Sequence, residues 1–178
     1  MRKPNSLWGR WWRTVLFFLV ALAVTIGDQL SKTWIRSNLA VGQSLPEEGF
    51  LRLIHARNTG AAFGIFPNHT FLLTVVSFIG AAVVLFYTFY LCRRFLFLNN
   101  GISMAALGAV LGGTVGNLID RLTLGYVTDF IAVGTFPAYN VADASITTGV
   151  SVFAGSLIYL LVREKQEAKE KQIASHNN

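Results

Sequence analysis

The chain has 178 residues, 53% hydrophobic and only 13% charged, with a mean hydropathy of +0.49; soluble domains carry about 25% charged residues, so a water-soluble globule is excluded and a membrane protein is expected. A net charge of +6 and an isoelectric point near 9.8 raise the question of nucleic acid, but no basic, aromatic groove accompanies them and no nucleic-acid partner is expected. The single cysteine, Cys92, permits no internal disulfide, and with neither a CxxC nor a His/Cys cluster no metal or other cofactor is expected.

Four runs are long enough to cross about 30 Å of hydrocarbon at about 1.5 Å per residue: 14–35, 70–92, 101–119 and 144–162. The expected fold is an all-α membrane protein, a four-transmembrane-helix bundle with a small β-containing extracytoplasmic loop, forming one domain over 1–178. The first run has a basic start, TVLFFLVALAV and the small-residue stretch Ala21-Leu22-Ala23, features shared with cleavable signal peptides. Against cleavage, DQLSKTWI continues the helical pattern and three spans follow, so the run is read as a span. Asp28 and Lys32, spaced i, i+4 at its end, read first as a structural ion pair at the lipid boundary.

In the first outer loop, FLRLIHARNTGAAFGIF alternates at Phe50, Arg52 and Ile54 before a glycine-rich turn, which predicts a short strand or hairpin on the membrane surface. Asn58, Gly60 and Gly64 are turn formers on one reading; on the other, an exposed strand edge holds an extended peptide. His55 and His69 are isolated and read as interfacial.

The third span carries Gly108, Gly112 and Gly116 at four-residue spacing, with Ala105 extending a stripe that admits a close helix neighbour. Asn117, Asp120 and Arg121 follow at its end, where Asp120 and Arg121 are expected to form an interfacial pair. Asp129 lies in the second outer loop, and Gly134 and Pro137 break the chain before the fourth span. There Asn140 as N-cap and Asp143 at the third helical position predict a variant capping box, in which the helix start favours the carboxylate's charge. The tail, 163–178, reads as a solvated helical or disordered segment.

Orientation follows the basic residues. Arg2, Lys3, Arg10, Arg13, Arg93, Arg94, Arg163, Lys165, Lys169 and Lys171 mark one side as cytoplasmic, with both termini on it; the longer loops hold only Lys32, Arg36, Arg52, Arg57 and Arg121 and should face outward. Trp8, Trp11, Trp12 and Trp34 fit interface belts. All four aspartates then fall on the outer side, where charge near hydrocarbon costs up to about 2.5–3.5 kcal/mol and invites a functional reading. No basic residue lies between Arg121 and Arg163 to neutralise Asp129 or Asp143 locally. Two carboxylates sharing a proton suit peptide hydrolysis: the ionised one takes a proton from water and the neutral one polarises the carbonyl. Asp143, at the helix start, is expected to be the more acidic, though such a pair titrates as a unit.

Five blocks in register, DQLSK at 28–32, NTGAAFG at 58–64, GGTVGNLIDRL at 112–122, YVTDFI at 126–131 and YNVADASI at 139–146, resemble the bacterial lipoprotein signal peptidases (signal peptidase II) over roughly 14–162. The resemblance implies an aspartic endopeptidase that removes the signal peptide of prolipoproteins just before a diacylglyceryl-modified cysteine. By the same resemblance Asp129 and Asp143 match the catalytic pair. Asn58, Gly60, Asn117, Arg121 and Asn140 match positions around the site, and Asp28, Lys32 and Asp120 supporting residues. It implies inhibition by cyclic peptides of the globomycin type; membrane lipid is expected as a partner, the site is expected to face outward from the bacterial cell membrane, and because a complete bundle needs no partner a monomer is expected. Tyr139 and Ala144-Ser145 depart from the usual Phe and Ser-Ala without touching the acids.

Two rivals remain at this level. In a small transporter or proton relay, outer acids pass cations or protons, yet spans two and four show only Ser, Thr and Tyr toward the cytoplasm. A magnesium-dependent lipid or phosphate enzyme would use the aspartates as ligands and be chelator-sensitive.

Overall fold

A computed structural model describes residues 7–60, 69–91 and 100–176. Gly64, Cys92, Arg93, Arg94, Arg2 and Lys3 lie outside these residues. Four helices are long and apolar enough to cross a membrane. In chain order they are α1 (Leu7–Asn38), α2 (Thr70–Phe86, prolonged by a π-helical turn, Tyr87–Leu91), α3 (Gly101–Leu124) and α4 (Val141–His176). Strands β1 (Ser44–Leu45) and β2 (Leu51–Asn58) lie between α1 and α2, and β3 (Val127–Val133) and β4 (Phe136–Tyr139) lie between α3 and α4.

Small residues decide which helix is central. Helix α3 is the most buried of the four, whereas α2 has no buried residue and is apolar all round, as a lipid-facing helix should be. A Cβ on Gly108 would stand 2.5 Å from the Phe17 carbonyl oxygen, and one on Gly112 2.5 Å from that of Ala21, so these glycines bring α1 backbone to backbone against α3. Gly113 and Gly149, which the stripe did not include, do the same between α3 and α4, against Ala142 and Ala106. Phe17, Ala21, Met104, Leu107 and Leu111 form the buried apolar cluster of the bundle.

At one end of the bundle the two inter-helix segments join in a single antiparallel sheet of order β1-β2-β3-β4. Gly125, at φ +78°, ends α3 by donating its N–H to the Arg121 carbonyl and turns the chain into β3. Asn58 then pairs with Val127 and Ala56 with Asp129, across some seventy residues of sequence. Ile35, Leu39 and Phe130 pack the sheet onto the end of α1.

Several expectations change. The strand near Phe50 is eight residues long and lies between β3 and the two-residue β1, which pairs only with Leu53 and Ile54, so the edge expected of it is covered in part. His55 is not interfacial: it is buried, its Nδ1 2.8 Å from the Leu39 carbonyl oxygen, because it faces α1 beneath the sheet. His69 is exposed at the start of α2. Helix α1 continues past Asp28 to Asn38, and α3 past Asp120 to Leu124, so neither acid ends its helix. The tail continues α4 as a helix to His176, with Arg163 and Glu167 paired at 3.1 Å on its surface.

Candidate active site

Two layers of polar residues meet where the sheet caps the helices. The lower layer is buried. Lys32 Nζ lies 2.8 Å from Asp28 and 3.4 Å from Asp120, with all three side chains essentially without exposure. The i, i+4 pair therefore exists, but in the bundle interior and not at the lipid boundary, because Gly116 opposite it has no side chain; a Cβ there would stand 2.5 Å from the Asp28 carboxylate. Asp120 turns toward Lys32 and Arg36 (3.6 Å), not toward Arg121 as expected. Consecutive helical residues diverge by about 100°, which sends Arg121 elsewhere. Gln29, which sequence reasoning passed over, donates to Asp120 at 3.1 Å and to the Gly116 carbonyl at 2.9 Å. Its position beside Asp28 in DQLSK was the one available signal.

These buried acids hold backbone. Asp120 accepts the N–H of Thr128 at 2.9 Å, and Asp28 accepts that of Ala142 at 2.9 Å. Each bonded residue immediately precedes one of the two upper aspartates, so β3 and the start of α4 are both tied to the same buried charge cluster.

The upper layer contains Asp129 on β3 and Asp143 in the first turn of α4. The expected capping box forms: the Asn140 side-chain oxygen accepts the Asp143 N–H at 3.0 Å, and Asp143 accepts the Asn140 N–H at 3.3 Å. The Asn140 amide also donates to Asp129 at 2.7 Å, so one buried residue holds both acids. Asn58 donates to Asp129 at 2.9 Å while its own oxygen accepts the Gly60 N–H at 2.8 Å, which fixes the amide's orientation. Asn117 donates to Asp143 at 2.8 Å and accepts from Lys32 at 2.9 Å, linking the two layers.

Asp129, Asp143, Asn58, Asn117 and Arg121 line one cavity of about 520 Å³, together with Phe136, Tyr139 and the α4 residues Thr147 and Thr148. Arg121 Nη1 donates to Ser77 at 3.3 Å and forms no ion pair among the described residues. Burial first, and the neighbouring Asp143 charge second, raise the Asp129 pKa to about 7 against the opposing bonds from Asn58 and Asn140 and the charge of Lys32. A carboxyl that loses its proton near neutrality, beside a second carboxyl at a helix start, can donate and accept protons at physiological pH. Among the described residues no three His, Cys, Asp or Glu side chains gather as a metal site requires.

The family model described as Signal peptidase (SPase) II matches residues 20–160. The lipoprotein signal peptidase of Dehalococcoides mccartyi strain 195 is 48% identical over 138 residues, 78% of this chain and 86% of its own. That of Moorella thermoacetica is 39% identical, covering 80% of this chain and 92% of its own. A solved structure described as a bacterial membrane enzyme, obtained by the in meso method at 2.3 Å resolution, is 31% identical with a TM-score of 0.71, covering 80% of this chain and 87% of that one.

Proposed function

The chain belongs to the signal peptidase II family of membrane aspartic endopeptidases, which process prolipoproteins, and we propose that Asp129 and Asp143 are its catalytic pair. What carries this reading is Asn140, which donates its side-chain amide to the Asp129 carboxyl and its backbone N–H to the Asp143 carboxyl, the two acids lining one cavity at the sheet-capped end of the bundle. Asp129 holds the shared proton, as its elevated pKa supports, and Asp143, in the first turn of α4, serves as the base toward water.

In this mechanism a water molecule lies between the acids. Asp143 takes a proton from the water as its oxygen adds to the scissile carbonyl carbon, while Asp129 donates its proton to the carbonyl oxygen. The resulting gem-diol collapses: the C–N bond breaks, the proton on Asp143 passes to the leaving amine, and a hydroxyl proton returns to Asp129. The products are a signal peptide with a new carboxyl terminus and a lipidated cysteine with a free amine. Asn58, Gly60, Asn117 and Asn140 orient the acids, Arg121 faces the substrate, and Asp28, Lys32 and Asp120 support the frame.

The substrate is a prolipoprotein whose cysteine carries a diacylglyceryl group. Its acyl chains, held in lipid at about 0.8 kcal/mol per buried CH2, fix the depth of the scissile bond. Both termini lie in the cytoplasm and the sheet faces outward, following the distribution of Lys and Arg. The protein acts as a monomer in lipid, and cyclic peptides of the globomycin type occupy the same cavity. The test is cleavage of a lipidated prolipoprotein by the purified protein in detergent. Asp129→Asn and Asp143→Asn are expected to abolish cleavage and chelator to leave it unchanged; full activity in either variant overturns the assignment.

A further inference from the structure

The cavity does not stop at the aspartates. Thr147 and Thr148 also line it, and Thr147 stands one helical turn beyond Asp143 on the same face of α4, within the apolar part of the helix. Hydroxyls elsewhere in the spans are engaged by their own helix: Thr25, Thr74, Ser77, Thr88, Thr114 and Ser151 each donate to the carbonyl four residues earlier, at 2.8–2.9 Å. Among the described residues, Thr147 and Thr148 donate to nothing, and both are exposed.

A peptide bond inside a membrane helix cannot be attacked, so the chain ahead of the scissile bond has to leave the helix. In hydrocarbon the backbone N–H and C=O groups freed in this way find no water, and each one left unpaired is strongly unfavourable. With the acids at the outer boundary, that part of the signal peptide lies on their membrane side, where the threonines are.

We propose that Thr147 and Thr148 form a main-chain subsite whose hydroxyls hydrogen-bond the backbone groups exposed when the signal peptide unwinds before the scissile bond. The inference rests on the peptidase reading above. A hydroxyl both donates and accepts, so it serves an N–H or a C=O and demands no particular side chain. That matches a substrate class whose signal peptides share apolar character and a lipidated cysteine.

The test uses Thr147→Val and Thr148→Val, singly and together, in the full chain in lipid nanodiscs. Valine keeps the branched shape and removes only the hydroxyl. Two quantities are read with a lipidated prolipoprotein: kcat/KM in the active protein, and Kd by fluorescence in an Asp129→Asn background that does not depend on turnover. The double variant should weaken binding and lower kcat/KM by about threefold to tenfold, in line with hydrogen bonds made inside membranes. Thr147→Ser should retain parental binding, and Thr114→Val, whose hydroxyl is engaged within its helix, should change nothing. Unaltered Kd and kcat/KM in the double variant overturn the subsite. If the parent binds the prolipoprotein but does not cleave it, the peptidase reading fails, while the binding arm still decides the subsite.

Discussion

The Asn140 amide donates to Asp129 at 2.7 Å while its oxygen accepts the Asp143 N–H at 3.0 Å, so the spacing of the two acids is set by a third side chain and not left to their own repulsion. Asn140→Ala removes an N-cap, worth about 1 kcal/mol of stability, and with it the side-chain donor to Asp129 and the acceptor of the Asp143 N–H. Cleavage should fall by at least about 10²-fold, the scale seen when positioned catalytic groups are lost. The disproportion is the check: thermal melting should shift modestly while kcat collapses. A large melting shift with kcat retained in the folded fraction would show Asn140 to be structural only.

Lys32 lies between two fully buried carboxylates. Lys32→Met leaves Asp28 without a counter-charge and Asp120 with Arg36 alone at 3.6 Å, and should destabilise the bundle by about 3–5 kcal/mol. Adding Asp28→Asn and Asp120→Asn removes the stranded charge and keeps an acceptor for the N–H groups of Ala142 and Thr128, so the triple variant should recover much of the loss. Melting in detergent, monitored by circular dichroism, compares the three proteins.

The pH dependence follows from Asp129, whose pKa is raised from 3.8 to about 7 in the folded protein. Because the folded state binds this proton more tightly than the unfolded state, its contribution to stability is present below about pH 4 and is lost as pH rises to about 7, at up to about 1.4 kcal/mol per pH unit. Above pH 7 the effect levels off. The same ionisation removes the acid that polarises the carbonyl, so kcat/KM should decline on the alkaline side with a midpoint near 7. Activity that is flat from pH 6 to 9 would rule out Asp129 as the proton holder.

Helix packing gives a paired prediction. Gly112→Ala places a methyl group 2.5 Å from the Ala21 carbonyl oxygen and 3.0 Å from its Cα, so α1 has to move; the expected loss is about 1–3 kcal/mol. Gly155→Ala meets nothing within 4 Å and should be neutral or slightly stabilising. Melting temperatures of the two alanine variants separate a general helix effect from close approach of the α1 backbone.

What the sequence determined by itself is local or solvent-driven: four apolar runs, the small-residue stripe on α3, the Asn140–Asp143 capping box and the i, i+4 pairing of Asp28 with Lys32. Each depends on residues within a turn or two, or on whether the solvent is lipid or water. What only the tertiary structure decided depends on segments far apart in sequence. Residue spacing could not reveal that β2 pairs with β3 and so brings Asn58 to Asp129, or that Asp28 and Asp120 hold the N–H groups just before the two upper aspartates. Nor could it show Asp120 turning from its neighbour Arg121 to Lys32, because a buried acid's partner is chosen by which helices pack closely enough to exclude water, and the glycines of α3 determine that packing.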